Sequence, residues 1–274
     1  MTEHDHDLLH RGLEFDLGTV MRRRRLLGLL AGVGAATLVG CAPAVTASGP
    51  TAAAPETSDP ATGGASCSEI PAETAGPYPG DGSNGPDVLT QSGIVRSDVR
   101  SSFGSASGVA EGVPLTVNLT IVDTRRGCAA YAGAAVYLWH CDRDGAYSLY
   151  SPGITGQNYL RGVQAADAAG LVTFRSIFPG AYSGRWPHIH FEVYADLAGA
   201  TSVRNKVATS QLALPQAICQ TVYATAGYAA SAGNLARSSL ATDNVFGDDR
   251  GVHQLATVTG SVGYGLVANL TVPV

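Results

Sequence analysis

Apolar and polar residues alternate over several short stretches of the chain after residue 112. The first stretch begins at Val113 and places apolar side chains at every second position, at Leu115, Val117, Leu119 and Ile121. A period of two puts such side chains on one face of a β-strand. Three further strands are predicted at 135–141, 171–177 and 188–194. A closing pair of strands is expected within 251–274, where the alternation returns.

Helical spacing, by contrast, is not sustained over any long stretch. Glycine, aspartate and proline separate the predicted strands, which is typical of antiparallel sheets. The sequence therefore predicts an all-β protein: an antiparallel β-sandwich with a loop-rich N-terminal segment, over 67 to about 110, and few short helices. One short helix is expected within 211–245, near 234–240.

The first 41 residues have the pattern of an export signal. Four arginines at 22–25 precede an apolar stretch of small residues, and Cys41 follows it. The stretch is shorter than the roughly 20 apolar residues that a membrane-spanning helix needs. The arginines and the leucines after them resemble a twin-arginine signal, and 38–41 resembles a lipobox, in which the cysteine is lipidated. A plain anchor helix or a cleaved secretory signal are the alternatives.

These features predict three regions. Residues 1–41 are the signal, 42–66 are a disordered linker rich in alanine, threonine and proline, and 67–274 are one folded domain. A lipidated Cys41 would tether the exported domain to the outer face of the cytoplasmic membrane. The net charge of −5, without a run of basic residues in the mature part, argues against nucleic acid as a partner.

Four cysteines remain after Cys41, and an oxidising compartment permits two disulfides among them. Cys128 and Cys141 flank a predicted strand and would lie roughly 20 Å apart, beyond disulfide reach. The other two connectivities, in which Cys67 pairs with Cys128 or with Cys141, stay open. Cys141 as a buried thiol without a disulfide is a further alternative, and Cys219 is the fourth cysteine.

The segment PGAYSGRWPHIHF, at 179–191, contains the candidate chemistry. On a strand, residues two apart share a face, so His188 and His190 present two imidazoles to one site. Tyr182 and Arg185 bring a phenol and a guanidinium beside them. A phenol becomes an anionic ligand only next to a strongly charged cation, and oxygen donors with imidazoles favour ferric iron over zinc.

Several motifs along the chain resemble those of the intradiol ring-cleavage dioxygenases, the family of catechol and protocatechuate 3,4-dioxygenases. The resemblance covers roughly 67–215. The motifs are AGPY at 75–78, RSDVR at 96–100, GVPL at 112–115, WHCD at 139–142, GAYS at 145–148, LRGVQ at 160–164, FPG at 178–180 and HIH at 188–190. The C-terminal third matches little of the family pattern. The resemblance implies that 67–274 is a catalytic domain.

The resemblance also implies the roles of individual residues. The iron(III) ligands would be Tyr147, Tyr182, His188 and His190. Tyr182 would be the ligand that the substrate displaces. Arg185 would stabilise charge on the substrate, and Gln211 and Tyr78 would border it. The substrate would be a small aromatic diol, cleaved with O2 between its two hydroxyl-bearing carbons to a muconate-type diacid. The sequence predicts neither which catechol is used nor the oligomeric state.

Two other classes share parts of this pattern. Transthyretin-like and adhesion β-sandwich modules have similar strands and Pro-Gly turns. Membership of such a class would not explain why His188 and His190 occur in one short segment with Tyr182 and Arg185. A cupin-like metalloprotein would also contain His-x-His, together with a nearby glutamate and a distant third histidine. Glu192 and His253 are poor candidates for those positions. His140 is expected to be structural.

Overall fold

Nine β-strands form two sheets in the computed structural model, which describes residues 67–274. The strands are β1 Pro114–Asp123, β2 Ala129–Ala130, β3 Ala135–Trp139, β4 Arg161–Ala165, β5 Leu171–Ile177, β6 His188–Tyr194, β7 Lys206–Ala213, β8 Thr257–Ser261 and β9 Gly265–Pro273. The helices are α1 Gln216–Tyr223 and α2 Ala229–Leu235, and three short 3-10 turns lie at Thr124–Arg126, Val203–Asn205 and Phe246–Asp248.

The first sheet is centred on β1. Strands β2 and β5 pair with one edge of β1, and β9 followed by β8 lies along the other. The second sheet has the order β4-β3-β6-β7 and is antiparallel throughout. The predicted all-β sandwich is confirmed. One pair differs from the antiparallel prediction, because β9 runs parallel to β1; the chain between them forms the crossover that a parallel pair needs.

The main core lies between the two sheets. The alternation predicted for the first strand is present: Leu115, Val117, Leu119 and Ile121 are all buried. They share one cluster with apolar side chains of the second sheet, among them Leu138 and Phe191. The inner face of each sheet is thus covered by the opposite sheet, as expected for a sandwich.

The outer face of the second sheet is buried as well. All residues of β3 and β6 are buried, although strands of a two-layer sandwich usually have one exposed face. The N-terminal segment, residues 67–110, covers this outer face, and its Val88, Leu89 and Ile94 form a second cluster with Tyr137 and Trp139. This covered outer face contains His188 and His190.

Backbone hydrogen bonds attach the N-terminal segment to both sheets. The amide of Ile70 donates to Pro273 of β9, that of Glu73 to Thr209 of β7, and that of Arg96 to Val163 of β4. Only isolated bridges and turns occur in this segment, in agreement with the loop-rich prediction.

A short helix within 211–245 is confirmed, but the position near 234–240 was wrong. The nearest helix, α2, ends at Leu235, and residues 236–240 are turn and loop. Serines 238 and 239 hydrogen-bond locally there, which competes with helical backbone bonds. Helix α1, which was not predicted, buries Cys219, Val222 and Tyr223 against the core.

Cysteine pairing is decided by the fold. Cys67 and Cys128 form a disulfide, with their Cα atoms 5.8 Å apart. Cys141 and Cys219 are buried thiols without a disulfide. The prediction against a Cys128–Cys141 bond is therefore confirmed, and one of the two open pairings for Cys67 is realised. The other two cysteines remain unpaired, which excludes the two-disulfide arrangement.

None of the helices within 67–274 is long and apolar enough to span a membrane. The predicted export signal, Cys41 and the linker lie outside the described residues.

Candidate metal centre

Two tyrosines and two histidines converge at one point on the covered outer face of the second sheet. The hydroxyl oxygens of Tyr147 and Tyr182 are 3.4 Å apart. The Tyr182 hydroxyl lies 3.2 Å from Nε2 of His188, and this atom lies 3.0 Å from Nε2 of His190. The structure thus brings together all four residues that were predicted as iron ligands.

The histidines are oriented by strand geometry and by their neighbours. Both project from the same face of β6, and the indole of Trp139, opposite His190 on β3, stacks on the His190 imidazole with centroids 4.9 Å apart. Nδ1 of His188 is 2.5 Å from the carbonyl oxygen of Trp186. Because a carbonyl only accepts hydrogen bonds, Nδ1 must be the protonated nitrogen of a neutral His188, and Nε2 directs a lone pair towards the centre.

The tyrosines come from two loops that approach closely. Tyr147 follows a tight turn in which an Asp142 carboxylate oxygen accepts from the amides of Asp144 and Ala146. Gly145 in this turn has a φ of +81°, and a Cβ there would lie 3.3 Å from Cβ of Tyr182. A side chain at 145 would therefore be strained and would crowd the loop that contains Tyr182.

Burial determines the protonation states of these groups. It lowers the pKa of His188 and of His190 well below the usual value, so both imidazoles are neutral at neutral pH. Burial, with the nearby Tyr182 phenol, raises the pKa of Tyr147 well above its ordinary value. Tyr147 is therefore a neutral phenol unless a cation stabilises its phenolate.

The donor set fits a ferric ion. Across residues 67–274, no group of three or more His, Cys, Asp or Glu side chains is arranged to hold a metal. His188 and His190 thus have no third ligand of those types, and the two phenols complete the set. Imidazole nitrogens with hard phenolate oxygens suit iron(III), whereas structural zinc sites prefer thiolates.

Arg185 and Gln211 lie beside the four donors and contact each other. Gln211 is opposite His190 in the pairing of β6 with β7. Its Oε1 accepts from a terminal nitrogen of Arg185 at 2.6 Å, and its Nε2 donates to the Thr74 carbonyl at 2.9 Å. Both side chains are buried. The structure therefore places the predicted charge-stabilising arginine and the predicted substrate-bordering glutamine together at the site.

The N-terminal segment forms the wall over His190 and Tyr147. Gly76, with a φ of +68°, lies so close that a Cβ would be 3.4 Å from Cε1 of His190. The Tyr78 ring packs on the Tyr147 ring at 5.0 Å between centroids. Arg161 fastens this wall, because its guanidinium donates to the carbonyls of Tyr78, Pro79 and Ser148.

A cavity of about 490 Å³ opens on the flank of this wall. It lies between 72–76, Ser83 and Asn84 on one side and 206–209 of β7 on the other. Gly76 belongs both to the cavity lining and to the contact with His190. Gly76 therefore lies between the cavity and His190.

Other polar residues singled out in the sequence have different surroundings. The ring nitrogens of His140 lie 2.7 Å from the Cys141 carbonyl oxygen and 2.7 Å from the Ser176 hydroxyl. Glu192 is fully buried and bonds to Tyr194 and Lys206, and His253 is exposed. A cupin-like set of histidines and a glutamate is therefore absent from the described part of the chain.

Three residues at the site were not predicted. Trp139 shares the alternation of β3 with Tyr137, so its face could have been inferred from sequence. Arg161 lies within a quoted motif, yet nothing in that motif indicates which carbonyls it reaches. Asp243, whose carboxylate contacts Arg185 at 3.0 Å, is 58 residues from its partner and has no local signal.

Comparisons with known proteins find similarity to dioxygenases. A family model described as "Dioxygenase" matches residues 84–205, the stretch that contains all four donors and Arg185. Chlorocatechol 1,2-dioxygenase from Rhodococcus opacus is 32% identical over an alignment of 83 residues, which covers 23% of this chain and 32% of the relative. The chain thus matches about a third of the length of this curated relative.

Solved structures extend the likeness to most of the described domain. An intradiol ring-cleavage dioxygenase from Tetranychus urticae superimposes with a TM-score of 0.60 and 25% identity, covering 76% of this chain and 94% of that one. Another dioxygenase structure gives a TM-score of 0.59 with 24% identity over the same shares, which supports the fold. The described domain accordingly has the β-sandwich fold of intradiol ring-cleavage dioxygenases, and residues 84–205 match the dioxygenase family model.

Proposed function

We propose that this protein is a non-haem iron(III) dioxygenase that cleaves a catechol-type aromatic ring between its two hydroxyl-bearing carbons. The observation that carries the proposal is the convergence of two phenols and two imidazoles on one buried point. The relatives support it, because the names of the Rhodococcus opacus and Tetranychus urticae proteins describe a chlorocatechol dioxygenase and an intradiol ring-cleavage enzyme. A non-catalytic β-sandwich module would have no use for such a cluster.

Tyr147, Tyr182, His188 and His190 would hold the iron. A bound ferric ion would stabilise the two phenolates and would bind both oxygens of a deprotonated catechol, making its ring reactive towards O2. Trp139, stacked on His190, and the Trp186 carbonyl, bonded to His188, keep the imidazoles in orientation. This support resembles the outer contacts that commonly fix metal-binding histidines.

The two tyrosines are suited to different roles. Tyr147 is almost fully buried and packed by Tyr78, whereas Tyr182 is only partly buried. Tyr182 has more room to move, and we assign to its phenolate oxygen, in the iron-loaded protein, the acceptance of a proton from the incoming diol. Tyr147 would remain in place.

Arg185 would stabilise negative charge on a substrate oxygen during the reaction. A buried guanidinium is a strong donor because water does not compete with it. Gln211 fixes one of its terminal nitrogens, and Tyr78 borders the substrate from the N-terminal wall. The cavity beside Gly76 would be the route by which the diol enters.

We further propose that the domain works after export, tethered through Cys41. The Cys67–Cys128 disulfide supports this location, because disulfides persist mainly in oxidising compartments. The tether itself depends on the signal-like pattern of residues 22–41.

Iron content, colour and O2 uptake test the proposal together. The purified protein should contain one ferric ion, be red-brown from tyrosinate-to-iron charge transfer, and consume O2 with catechol, protocatechuate or hydroxyquinol. Tyr147→Phe should shift or bleach the colour and lower kcat/KM by at least about tenfold.

The matched control is Tyr223→Phe. Tyr223 is also a buried tyrosine that donates one hydrogen bond, to the Pro179 carbonyl at 3.0 Å. Its replacement should leave the colour unchanged. A colourless protein that contains zinc or no metal and takes up no O2 would contradict the proposed function.

A further inference from the structure

Asp243 is a buried carboxylate in the loop between α2 and β8. Its side chain is 0% exposed. It lies beyond the stretch that matches the dioxygenase family model, which ends at residue 205. A buried charge is costly unless it is paired and hydrogen-bonded, so its partners indicate why it is there.

Each carboxylate oxygen of Asp243 accepts two hydrogen bonds. Oδ2 accepts from Nε of Arg185 at 3.0 Å and from the amide of Trp186 at 2.6 Å. Oδ1 accepts from the amides of Val245 and Phe246 at 2.8 and 3.0 Å. The carboxylate therefore joins the residues just before β6 to the short 3-10 turn that begins at Phe246.

This contact fixes the orientation of Arg185. The guanidinium is 3% exposed and is held by Asp243 at Nε and by Gln211 at a terminal nitrogen. Two attachments at different nitrogens define the plane of a guanidinium. The ring of Phe246 lies 5.9 Å from the guanidinium carbon and 6.4 Å from the His188 ring. The 3-10 turn that Asp243 stabilises thus also packs against the candidate metal centre.

We propose that Asp243 is the positioning residue for Arg185, holding the guanidinium where it meets charge that develops on the substrate. The inference rests on the proposed function, in which Arg185 supplies that stabilisation. Donors aimed in advance are effective because they need not reorganise during the reaction, and a displacement of about 1 Å can cost a hundredfold in rate. Asp243 also balances the positive charge of Arg185 next to a cation site.

Asp243→Asn is the direct test. The asparagine side chain retains an oxygen that can accept from the backbone amides of Val245 and Phe246. Its NH2 group, however, would face Nε–H of Arg185, and two donors cannot form a hydrogen bond with each other. In the iron-loaded full-length protein, kcat should fall by about tenfold to a hundredfold. The KM for catechol, the iron content and the visible absorption should stay as in the wild type, because the four ligands are untouched.

Asp249→Asn is the matched control. Asp249 lies in the same loop and accepts from the Gly251 amide at 2.6 Å, so its replacement also removes a charge and perturbs a local turn. Its kcat should equal that of the wild type. Equal rates for the two variants would contradict the proposed role of Asp243.

A second comparison covers the case in which Asp243→Asn alone does not fold. Arg185→Gln should be compared with the double variant Arg185→Gln/Asp243→Asn, which leaves neither charge buried without a partner. If Asp243 acts through Arg185, the second change should alter kcat by less than about twofold. A further tenfold loss would overturn the inference. A wild type that binds no ferric iron and, after incubation with iron, turns over none of the three diols would instead refute the proposed function itself.

Discussion

At the scale of single residues, burial sets the protonation states of the histidines and of Tyr147, and only a bound cation would turn the phenol into a phenolate. His188 and His190 are neutral because their burial lowers the pKa of each imidazole, and the Trp186 carbonyl selects the tautomer of His188. Tyr147 is held as a phenol by the same burial, which raises its pKa. Local sequence indicates that the two histidines share a face, but the dry environment comes from the N-terminal segment that covers them.

His140 gives a test of the same effect away from the four donors. Burial lowers its pKa from 6.5 to about 4, so between these values the unfolded chain binds more protons than the folded one. The free energy of unfolding should therefore decrease as the pH falls from 6.5 to 4, with about 3 kcal/mol of the loss due to His140. Urea unfolding across this range measures it.

His140→Asn should flatten this pH dependence. An asparagine can keep the bond to the Cys141 carbonyl but has no titration in this range. The comparison must be made in one metal state, since His188 and His190 are buried as well. His253→Asn, which changes an exposed imidazole, serves as the control and should keep the wild-type slope. An unchanged slope in His140→Asn would contradict the assignment.

At the scale of elements, strand register assembles the site. Trp139 of β3 and Gln211 of β7 flank His190 because they are its partners in the two ladders. The position of β6 was predicted from its alternation, and so were those of β1, β5 and β3, although the strand predicted at 135–141 ends at Trp139. Strands β4 and β7 were missed because neither alternates: β4 buries three consecutive residues, and β7 buries only its C-terminal half.

The turn between β4 and β5 offers a test of how closely the elements pack. Gly170 has a φ of +78°, and a Cβ there would lie 2.3 Å from the carbonyl oxygen of Ile121 on β1. Gly170→Ala should therefore lower the free energy of unfolding by about 3 kcal/mol or more, since the left-handed backbone and a steric clash both oppose the methyl group. Denaturant unfolding provides the measurement.

Gly153→Ala separates the two contributions. Gly153 has a similar φ of +83°, but a Cβ there would meet no atom within 4 Å. Only the strain of the left-handed backbone applies there, so Gly153→Ala should lower the free energy of unfolding by about 1 kcal/mol. Equal losses at the two positions would show that the approach of Gly170 to β1 is not tight.

At the scale of the whole molecule, the N-terminal segment converts a sheet face into a buried site. It brings Gly76 against His190 and Tyr78 against Tyr147, and Arg161 fastens it to β4. The Cys67–Cys128 disulfide joins the start of this segment to the loop between β1 and β2. The disulfide should therefore stabilise the covering segment as well as the sandwich.

Replacing both cysteines tests this contribution. Closing a loop of 61 residues restricts the unfolded chain, so Cys67→Ser with Cys128→Ser should lower the free energy of unfolding by about 2–4 kcal/mol. Reduction of the wild type should have a similar effect. Reductant added to the double variant should change nothing further, because Cys141 and Cys219 have no disulfide to lose. A second loss there would contradict the pairing.

The sequence by itself determined the features that depend on local backbone geometry. A period of two predicts which strand residues share a face, and this placed His188 beside His190. The short segment that contains them also brought Tyr182 and Arg185 into the same region. Such relations hold in any fold that keeps the strand, because neighbouring side chains are only a few ångströms apart along the backbone.

Only the tertiary structure decided the relations between distant segments. The pairing of Cys67, the position of Gln211 and the contact of Asp243 with Arg185, 58 residues away, all depend on which segments pack together. The same is true of the cover over the outer face of the second sheet. Side-chain packing across the whole domain sets these contacts, and a one-dimensional pattern contains no record of it.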